Sequence, residues 1–366
     1  MFSKKVSVVI YDFEPRGVQR SQVRLASQLR EDGFDVEVVS FNAKGPLLEQ
    51  LSSGIAVHDL QAGSVKGGIV ALTKYLYSRP NYLVLSAEDH VNCMILMVRF
   101  FFRMKFRLSV SCRVSPMLWA NRPTLFSKNW ILKKLVHLFY PLAEQRVMLS
   151  DGMADEYARL FGLRRESLKI IYNPVLNAPS AVALPEISHD WFSVSGAPVV
   201  LGVGHLSEIK GFDVLIRAFS IVRKKTGARL IIVGQGPERE TLKLLSRQLG
   251  VEEHVYFAGF QENPMSFMKH ADLFVLSSRS EGLPGVLIEA IGSDCPVVST
   301  RCGGGALEIM EHGRVGPLVE VDDVEGLASA ILEQLASPPD LKKLRVSAQR
   351  FHANVVSHLY VKDLNI

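Results

Sequence analysis

Short apolar runs alternate with amphipathic segments along most of the chain. Residues 5–13 (KVSVVIYDF) form one apolar run, residues 19–33 space their apolar positions three and four apart up to a closing glycine, and residues 34–41 (FDVEVVSF) form a second run. The runs are typical of buried strands, and the spacing between them is typical of a surface helix ended by glycine. The chain is therefore predicted to open with a β-α-β unit.

The same unit is repeated in two series. Further strands of the first series are predicted at 82–86, 108–111 and 147–150. The second series begins at Pro198, with strands predicted in PVVLG, ARLIIVGQGP, VYFAGF, ADLFVLSS and CPVVST and helices in DVLIRAFSIVRKKTG, RETLKLLSRQLG and VEGLASAILEQLA. This alternation predicts an α/β protein with two doubly wound, Rossmann-like parallel sheets.

Residues 170–198 separate the two series, because they gather prolines and lose all periodicity. We predict an N-terminal domain over 1–178, a linker over 179–197, a C-terminal domain over 198–345 and a C-terminal helix over 346–366 that returns to the N-terminal domain. Two such domains would face each other across a cleft. Doubly wound sheets bind ligands at the carboxyl ends of their strands, so the cleft is the predicted site.

Length and composition agree with a soluble protein of two domains. The 366 residues exceed one ordinary core, 22% are charged and 48% are apolar, and no apolar run reaches the roughly 18 residues of a membrane-spanning helix. The N-terminus is predicted to be a strand and not a signal peptide. The four cysteines form no CxxC pair, which predicts neither a zinc site nor disulfides and favours the cytoplasm.

Basic charge is concentrated in the first half of the chain. Residues 1–184 hold 24 Lys+Arg against 15 Asp+Glu, whereas the remainder holds 18 against 22. A nucleic acid, an anionic membrane surface or a phosphorylated substrate would each suit a basic half. Charge alone does not choose among them.

Two strand-to-helix loops of the second series carry glycines. In VLGVGHLSEIKGF, Lys210 lies just before a helix, where free N–H groups and a lysine suit a phosphate. A turn whose glycines only relieve steric strain is the equal alternative. In IIVGQGPERETL, Gly236 is followed by no third glycine at the spacing of a dinucleotide site, which disfavours a nicotinamide oxidoreductase.

The stretch SRSEGLPGVLIEA places Glu281 on a predicted loop and Glu289 in the first turns of the next helix. The helix dipole favours a glutamate near a helix start, which accounts for Glu289 without a ligand. A capping box fails, because the third residue after Ser280 is Leu283. Ligand binding and paired carboxylates for general acid and base catalysis, as in glycosidases, both stay open.

The motifs and their order resemble the retaining glycosyltransferases of family four, which have the GT-B fold. EGLPGVLIEA, GHLSEIKGFDVLIRAF and IIVGQGPERETL are similar to the family's C-terminal domain, SDGMADEYARLFGLRRESLKIIYNPV to its domain junction, and RGVQRSQVRLASQLREDGFDVEVVSF to its first glycine loop and helix. The resemblance therefore covers nearly the whole chain.

The resemblance implies a role for each site residue. Glu281 with Gly282 would hold hydroxyls of a donor sugar, and Glu289 the ribose hydroxyls of a sugar nucleotide. Contacts to the donor diphosphate are expected from Gly17, Arg113, His205, Lys210, Gly285 and Val286, and contacts to the base from Gly236 and Phe260. Glu281, Lys210 and Arg113 would be the catalytic residues. Neither a metal nor another cofactor is expected, because cationic side chains and helix dipoles would stabilise the leaving diphosphate.

Three positions depart from the family pattern. His205 stands where the family usually has arginine, and a neutral histidine can donate only one N–H. The first glycine loop keeps a single glycine, Gly17, with Arg20 as an added charge. Arg113 follows a strand after which many members have a histidine. A contact to the diphosphate and a salt-bridged surface arginine are the two interpretations of Arg113, and we favour the first.

Two segments of the basic half, 94–109 and 127–141, mix aromatic with basic residues. Such sequences suit helices that lie at an anionic membrane surface. A core helix with a basic outer stripe that leads into a buried strand is the alternative.

The implied function is retaining transfer of a hexose or N-acetylhexosamine from a nucleotide-diphosphate sugar, with UDP as the expected nucleotide. The acceptor would be a glycan or a lipid-linked acceptor in the synthesis of cell-surface polysaccharide or lipopolysaccharide. This hexosyltransferase (EC 2.4) would be cytoplasmic, with peripheral contact to the inner membrane and no nucleic-acid partner. A GT-B-fold sugar-nucleotide epimerase and a non-catalytic sugar-nucleotide- or glycan-binding protein are the alternatives.

Overall fold

The computed structural model describes residues 4–121, 123–177, 189–193 and 196–362. These residues divide into two compact units, one within 1–179 and 350–366 and the other within 180–349. The boundary predicted at residue 345 falls inside a helix, Leu341–Ala348. Most of the predicted linker, at 179–188 and 194–195, lies outside the described residues.

Within the described residues, the first unit is built on a seven-stranded parallel sheet. Its strands are β1 Lys5–Ile10, β2 Asp35–Ser40, β3 Ala56–Asp59, β4 Leu83–Ala87, β5 Arg107–Ser111, β6 Gln145–Met148 and β7 Leu168–Ile170. Their order is β3-β2-β1-β4-β5-β6-β7, so the chain runs outward in opposite directions from β1 and β4. The carboxyl ends of these two neighbours are the topological switch point of the sheet.

The second unit repeats this plan on a six-stranded parallel sheet among the described residues. Its strands are β8 Val199–Val203, β9 Arg229–Val233, β10 Val255–Gly259, β11 Leu273–Leu276, β12 Val297–Thr300 and β13 Leu318–Val319. The order β10-β9-β8-β11-β12-β13 puts the second switch point between β8 and β11. The predicted pair of doubly wound parallel sheets is therefore confirmed.

Helices cover the sheets and connect successive strands. In the described parts of the chain they are α1 Gly17–Glu31, α2 Ile69–Tyr77, α3 Asp89–Phe101, α4 Lys128–Phe139, α5 Asp151–Phe161, α6 Asp190–Ser193, α7 Phe212–Thr226, α8 Arg239–Gln248, α9 Met265–His270, α10 Gly285–Gly292, α11 Gly304–Ile309, α12 Val324–Ala336, α13 Leu341–Ala348 and α14 Ala353–Lys362. The central strands are buried on both faces, which explains their continuous apolar sequences.

The last helix, α14, belongs to the first unit and packs on α1. The hydroxyl of Ser357 donates to the carboxylate of Asp32 at 2.6 Å. The N–H of Ala353, the first residue of this helix, donates to the carbonyl of Leu176 at 2.8 Å, so the start of the helix is also tied to the unit. The first unit is thus assembled from two separate parts of the sequence.

The segment 94–109, predicted to be a surface helix or a core helix leading into a buried strand, is divided. Helix α3 ends at Phe101, and β5 begins at Arg107 after Phe106, which is buried. The second interpretation therefore describes residues 94–98 and 106–109, whereas Phe100, Phe101 and Phe102 between them are exposed. Among the described residues, none of the helices combines the length and hydrophobicity needed to cross a bilayer.

Candidate functional site

A lysine and a glutamate meet at the switch point of the second sheet. Lys210 lies in the loop after β8 and Glu281 in the loop after β11, and their Nζ and Oε1 atoms are 2.5 Å apart. Only 25% of the lysine side chain and 13% of the glutamate side chain are exposed. Partial burial strengthens the attraction between the two charges. The structure thus brings together two of the three predicted catalytic residues.

The Glu281 loop is held in a fixed position by its neighbours. Ser278 donates its hydroxyl to Oε1 of Glu281 at 2.8 Å, and the backbone N–H of Glu281 donates to the carbonyl of Cys302 at 2.7 Å. Both side-chain bonds reach Oε1, and within the described residues no hydrogen bond reaches Oε2. This second oxygen is therefore available to accept a hydrogen bond from a hydroxyl of a ligand.

Two glycines allow the loop after β12 to approach the Glu281 loop closely. A Cβ on Gly303 would lie 2.4 Å from the carbonyl oxygen of Glu281, and one on Gly305 would lie 1.9 Å from that of Gly282. Side chains at either position are excluded by backbone atoms. The shape of the loop thus depends on glycine at 303 and 305.

Arg279 connects the two loops that carry the charged pair. Its backbone N–H donates to the carbonyl of Ile209 at 2.7 Å, and its guanidinium binds both carboxylate oxygens of Asp213 at 3.0 and 2.9 Å. Burial alone would raise the pKa of Asp213, but the hydrogen bonds and charge of Arg279 outweigh it and lower that pKa. A second carboxylate, Asp322, accepts from Nε of Arg279 at 2.7 Å.

Helix α10 begins beside the Glu281 loop with Gly285 and Val286. The first N–H groups of a helix have no partner within it, and they carry a partial positive charge. Both N–H groups lack a carbonyl partner among the described residues. Glu289 is half-buried on the second turn of this helix. Free N–H groups, a lysine and a carboxylate can together bind an anion that carries hydroxyls.

The predicted base-binding residues lie in loops after the neighbouring strands. The N–H of Leu206, next to the exposed His205, donates to the carbonyl of Gln235 at 2.9 Å. A Cβ on Gly236 would lie 2.3 Å from the carbonyl oxygen of Leu206. Phe260 is 57% exposed in the loop after β10. Gly236 is therefore adjacent to the His205 loop, and Phe260 presents a free ring face.

Two predicted diphosphate contacts lie in the first unit. Gly17 is the exposed first residue of α1, and a Cβ there would meet nothing within 4 Å, so its backbone N–H and not its lack of a side chain would matter. Arg113 is only 7% exposed. Its Nη2 donates to the hydroxyl of Tyr360 at 3.2 Å, while Nε and Nη1 lack partners in the described parts of the chain. The alternative of a salt-bridged surface arginine is therefore wrong.

Glu88 adopts an unusual backbone conformation directly after β4. Its φ of 74° is rare for a residue with a side chain. Asp89, which follows it, is buried and accepts hydroxyl hydrogen bonds from Tyr140 at 2.5 Å and Tyr157 at 2.7 Å. Burial raises the pKa of Glu88, and the positive charge of Arg16 offsets this rise only in part. The two tyrosines anchor the turn on which Glu88 stands.

Several of these residues were missed by the sequence interpretation. Ser278 is the last residue of a predicted strand, Arg279 follows it directly, and Glu88 comes two residues after another predicted strand, so position at a strand end was the signal that could have found them. The prediction that no metal takes part stays a prediction. In the described residues, no three His, Cys, Asp or Glu side chains form a metal-binding group, and the four cysteines are free and buried.

Two family sequence models match the chain. "Glycosyltransferase Family 4" covers residues 15–175, and "Glycosyl transferases group 1" covers residues 185–351. With the two Rossmann-like sheets, these matches define a GT-B glycosyltransferase. The chain belongs to the group 1/family 4 glycosyltransferases, and the resemblance noted in the sequence is confirmed.

Relatives and solved structures agree with this assignment. The chain is 30% identical over 266 residues to an N-acetylgalactosamine-N,N'-diacetylbacillosaminyl-diphospho-undecaprenol 4-alpha-N-acetylgalactosaminyltransferase of Campylobacter jejuni, covering 72% of this chain and 67% of that one. It is 36% identical over 207 residues to the lipopolysaccharide core biosynthesis glycosyltransferase LpsE of Rhizobium meliloti, covering 57% of each. The crystal structure of Anabaena HepE in complex with UDP has the same fold, with a TM-score of 0.76, 22% identity and 99% of each chain covered.

Proposed function

We propose that the protein transfers a hexose or N-acetylhexosamine, with retention of configuration, from a UDP-sugar to a glycan or lipid-linked acceptor of a cell-surface polysaccharide. The observation that carries the proposal is the Lys210–Glu281 pair at the switch point of the second sheet. A cation and a carboxylate with one free oxygen suit the two parts of a sugar nucleotide, its diphosphate and its sugar hydroxyls. Relatives named for lipid-linked and lipopolysaccharide substrates, and a structural neighbour that binds UDP, support the choice.

Each residue has a role in this proposal. Lys210 and the N–H groups of Gly285 and Val286 stabilise the diphosphate, and His205 adds one hydrogen bond. Glu281 accepts sugar hydroxyls through Oε2, and Glu289 accepts those of the ribose. Charge that develops on the leaving diphosphate is stabilised by groups already in position.

In the proposal, the configuration at the anomeric carbon is retained by a front-face route, since the family resemblance implies no side-chain nucleophile. The acceptor oxygen forms a bond to the anomeric carbon on the face that the diphosphate leaves, and a diphosphate oxygen takes the acceptor proton. The reaction balances without a cofactor, because a UDP-sugar and an alcohol give UDP, which carries the proton of the alcohol, and a glycoside.

The test is a panel of nucleotide sugars measured by thermal shift with the wild type, Lys210→Ala and Glu281→Ala. A matched control is Lys243→Ala, which removes a lysine that pairs with exposed Glu240 on α8. Stabilisation by one UDP-sugar that disappears in the two site variants and persists in the control supports the proposal. Equal stabilisation in all four proteins contradicts the site.

Transfer itself is tested by release of UDP with and without a chloroform–methanol extract of bacterial membranes. Release that depends on the extract supports a transferase. Conversion of the sugar nucleotide without extract supports the epimerase, and binding without any turnover supports the non-catalytic alternative.

We also propose that the first unit contacts an anionic membrane surface through its aromatic face, which consists of Phe100, Phe101 and Phe102 at the end of α3 and Leu138 on α4. These side chains are 56%, 66%, 59% and 64% exposed, respectively. The rings of Phe100 and Phe101 lie 6.0 and 6.5 Å from that of Phe139, so the ends of both helices are adjacent.

Exposed basic residues, Arg103 and Lys105, follow the aromatic face directly. Apolar rings beside cations suit the boundary between lipid headgroups and acyl chains. A lipid-linked acceptor would lie at the same surface. This contact would keep the enzyme close to its substrate.

A further inference from the structure

A small notch opens at the switch point of the first sheet. It is lined by the ends of β1 and β4, among them Ala87 and Glu88, and by the first turns of α1, among them Gln22. Its volume is about 10 Å³. That is the room of a single water-sized group, so a hydroxyl fits and a sugar ring does not.

The amide of Gln22 is a buried polar group without a partner. The residue is 2% exposed, and neither Nε2 nor Oε1 has a hydrogen bond among the described residues. Leaving such a group unsatisfied costs stability. A different glutamine of the same helix, Gln28, shows the usual arrangement, since its Nε2 donates to Asp32 at 3.0 Å.

Glu88 lines the notch on the side of β4, and its backbone conformation is the second unfavourable feature of the notch. Its φ of 74° would be relaxed by glycine, yet the buried Asp89 and its two tyrosine partners hold this conformation. Unfavourable conformations of this kind persist where the surrounding structure imposes them, and they cluster at binding sites. The notch is therefore lined by Gln22, whose amide is unsatisfied among the described residues, and by Glu88, whose carboxylate can accept a hydrogen bond and whose backbone is strained.

We propose that the notch binds one hydroxyl of the acceptor, which donates to the carboxylate of Glu88 and hydrogen-bonds to the amide of Gln22. The inference rests on the proposed transferase function and names two of the residues that select its acceptor. The hydroxyl would replace the partner that the amide lacks. Arg113 likewise has two buried guanidinium nitrogens, Nε and Nη1, without a partner among the described residues.

The test uses Gln22→Met, which removes the amide with little change in side-chain volume, and Gln28→Met as its control. Removal of an unsatisfied buried amide should raise the melting temperature by about 2 to 6 °C. The same variant should lower transfer to the chloroform–methanol extract of bacterial membranes by about tenfold or more, with the Kd for UDP unchanged. Gln28→Met should lower the melting temperature and leave transfer intact.

A second variant, Glu88→Gly, tests the other wall. It relaxes the backbone, so it should unfold at a higher temperature than the wild type and lose transfer. The matched control is Asn81→Gly, which relaxes another positive φ, of 68°, in the same unit. That control should transfer normally.

Outcomes of the two tests are distinct. If Gln22→Met melts at a lower temperature, the amide has a structural partner, such as a fixed water, and the inference is overturned. Full transfer by Gln22→Met overturns it as well. If the wild type releases no UDP with the extract, the proposed function fails and the inference fails with it, whereas failure of the inference alone leaves wild-type transfer intact.

Discussion

The Nζ atom of Lys210 lies 2.5 Å from Oε1 of Glu281, although the residues are 71 positions apart in the chain. Each belongs to a loop that follows one of the two strands at the switch point of the second sheet. Both side chains are largely shielded from water, where an unpaired charge is costly. Each charge is therefore stabilised by the opposite charge of its partner. A donor that binds here meets a preformed pair of opposite charges.

The pair predicts coupled effects of substitution. Lys210→Met and Glu281→Gln should each weaken UDP-sugar binding by about 10- to 100-fold, because each removes a charged hydrogen bond to the donor. Either single variant leaves an unpaired, partly buried charge, so the double variant should lose less unfolding free energy than the two losses added together. Urea unfolding and calorimetric titration measure both effects. Strictly additive losses in stability would show that the pair is not coupled.

The close contact at Gly305 predicts a steric effect. Gly305→Ala should lower the free energy of unfolding by about 1–3 kcal/mol, because its Cβ would lie 1.9 Å from the carbonyl oxygen of Gly282. Donor binding should weaken as the Glu281 loop is displaced. The control is Gly285→Ala, whose Cβ would meet nothing within 4 Å. Equal melting temperatures for both variants would contradict the proposed role of the contact.

The carboxylate of Asp213 predicts a dependence of stability on pH. Its pKa is lowered in the folded protein, so the ionised group contributes stability above its ordinary value of 3.8. That contribution is lost as pH falls through the lower, folded pKa. Asp213→Asn should therefore melt below the wild type at pH 7, and the difference should shrink in acid. Thermal unfolding between pH 3 and pH 7 at constant ionic strength measures it; a difference that does not vary with pH would exclude this cause.

The aromatic face predicts binding to anionic vesicles. The wild type should sediment with vesicles of phosphatidylglycerol and phosphatidylcholine in equal parts, and less with phosphatidylcholine alone. Phe101→Ser should weaken this binding by about tenfold, since a phenylalanine side chain leaves water on insertion. The matched control is Leu244→Ser, which removes a side chain that is 54% exposed on α8 of the second unit. Equal binding by both variants would locate the contact elsewhere.

Much of the fold follows from sequence because the central strands are buried on both faces. Their apolar runs stand out from the amphipathic helices between them. Three short strands, β3, β7 and β13, were not predicted. They lie at sheet edges and bury few side chains, with β3 half-exposed along its length, so their sequences carry little apolar signal.

The candidate site was predictable where a loop is rich in glycine and charge. Lys210 and Glu281 were found on that basis, and the structure pairs them. Arg279, Gln22 and Glu88 were not found, because their roles depend on contacts between distant segments and on burial. Arg113 was identified as a candidate, but only the structure shows that it is buried beside Tyr360.

The return of α14 to the first unit has a consequence for protein synthesis. The second unit is continuous within residues 180–349 and can fold as soon as it has left the ribosome. The first unit is made earlier but lacks the helix that covers α1, and Arg113 lacks the hydroxyl of Tyr360, until translation reaches the end of α14. We therefore expect the order of folding to reverse the order of synthesis, with the first unit completed last.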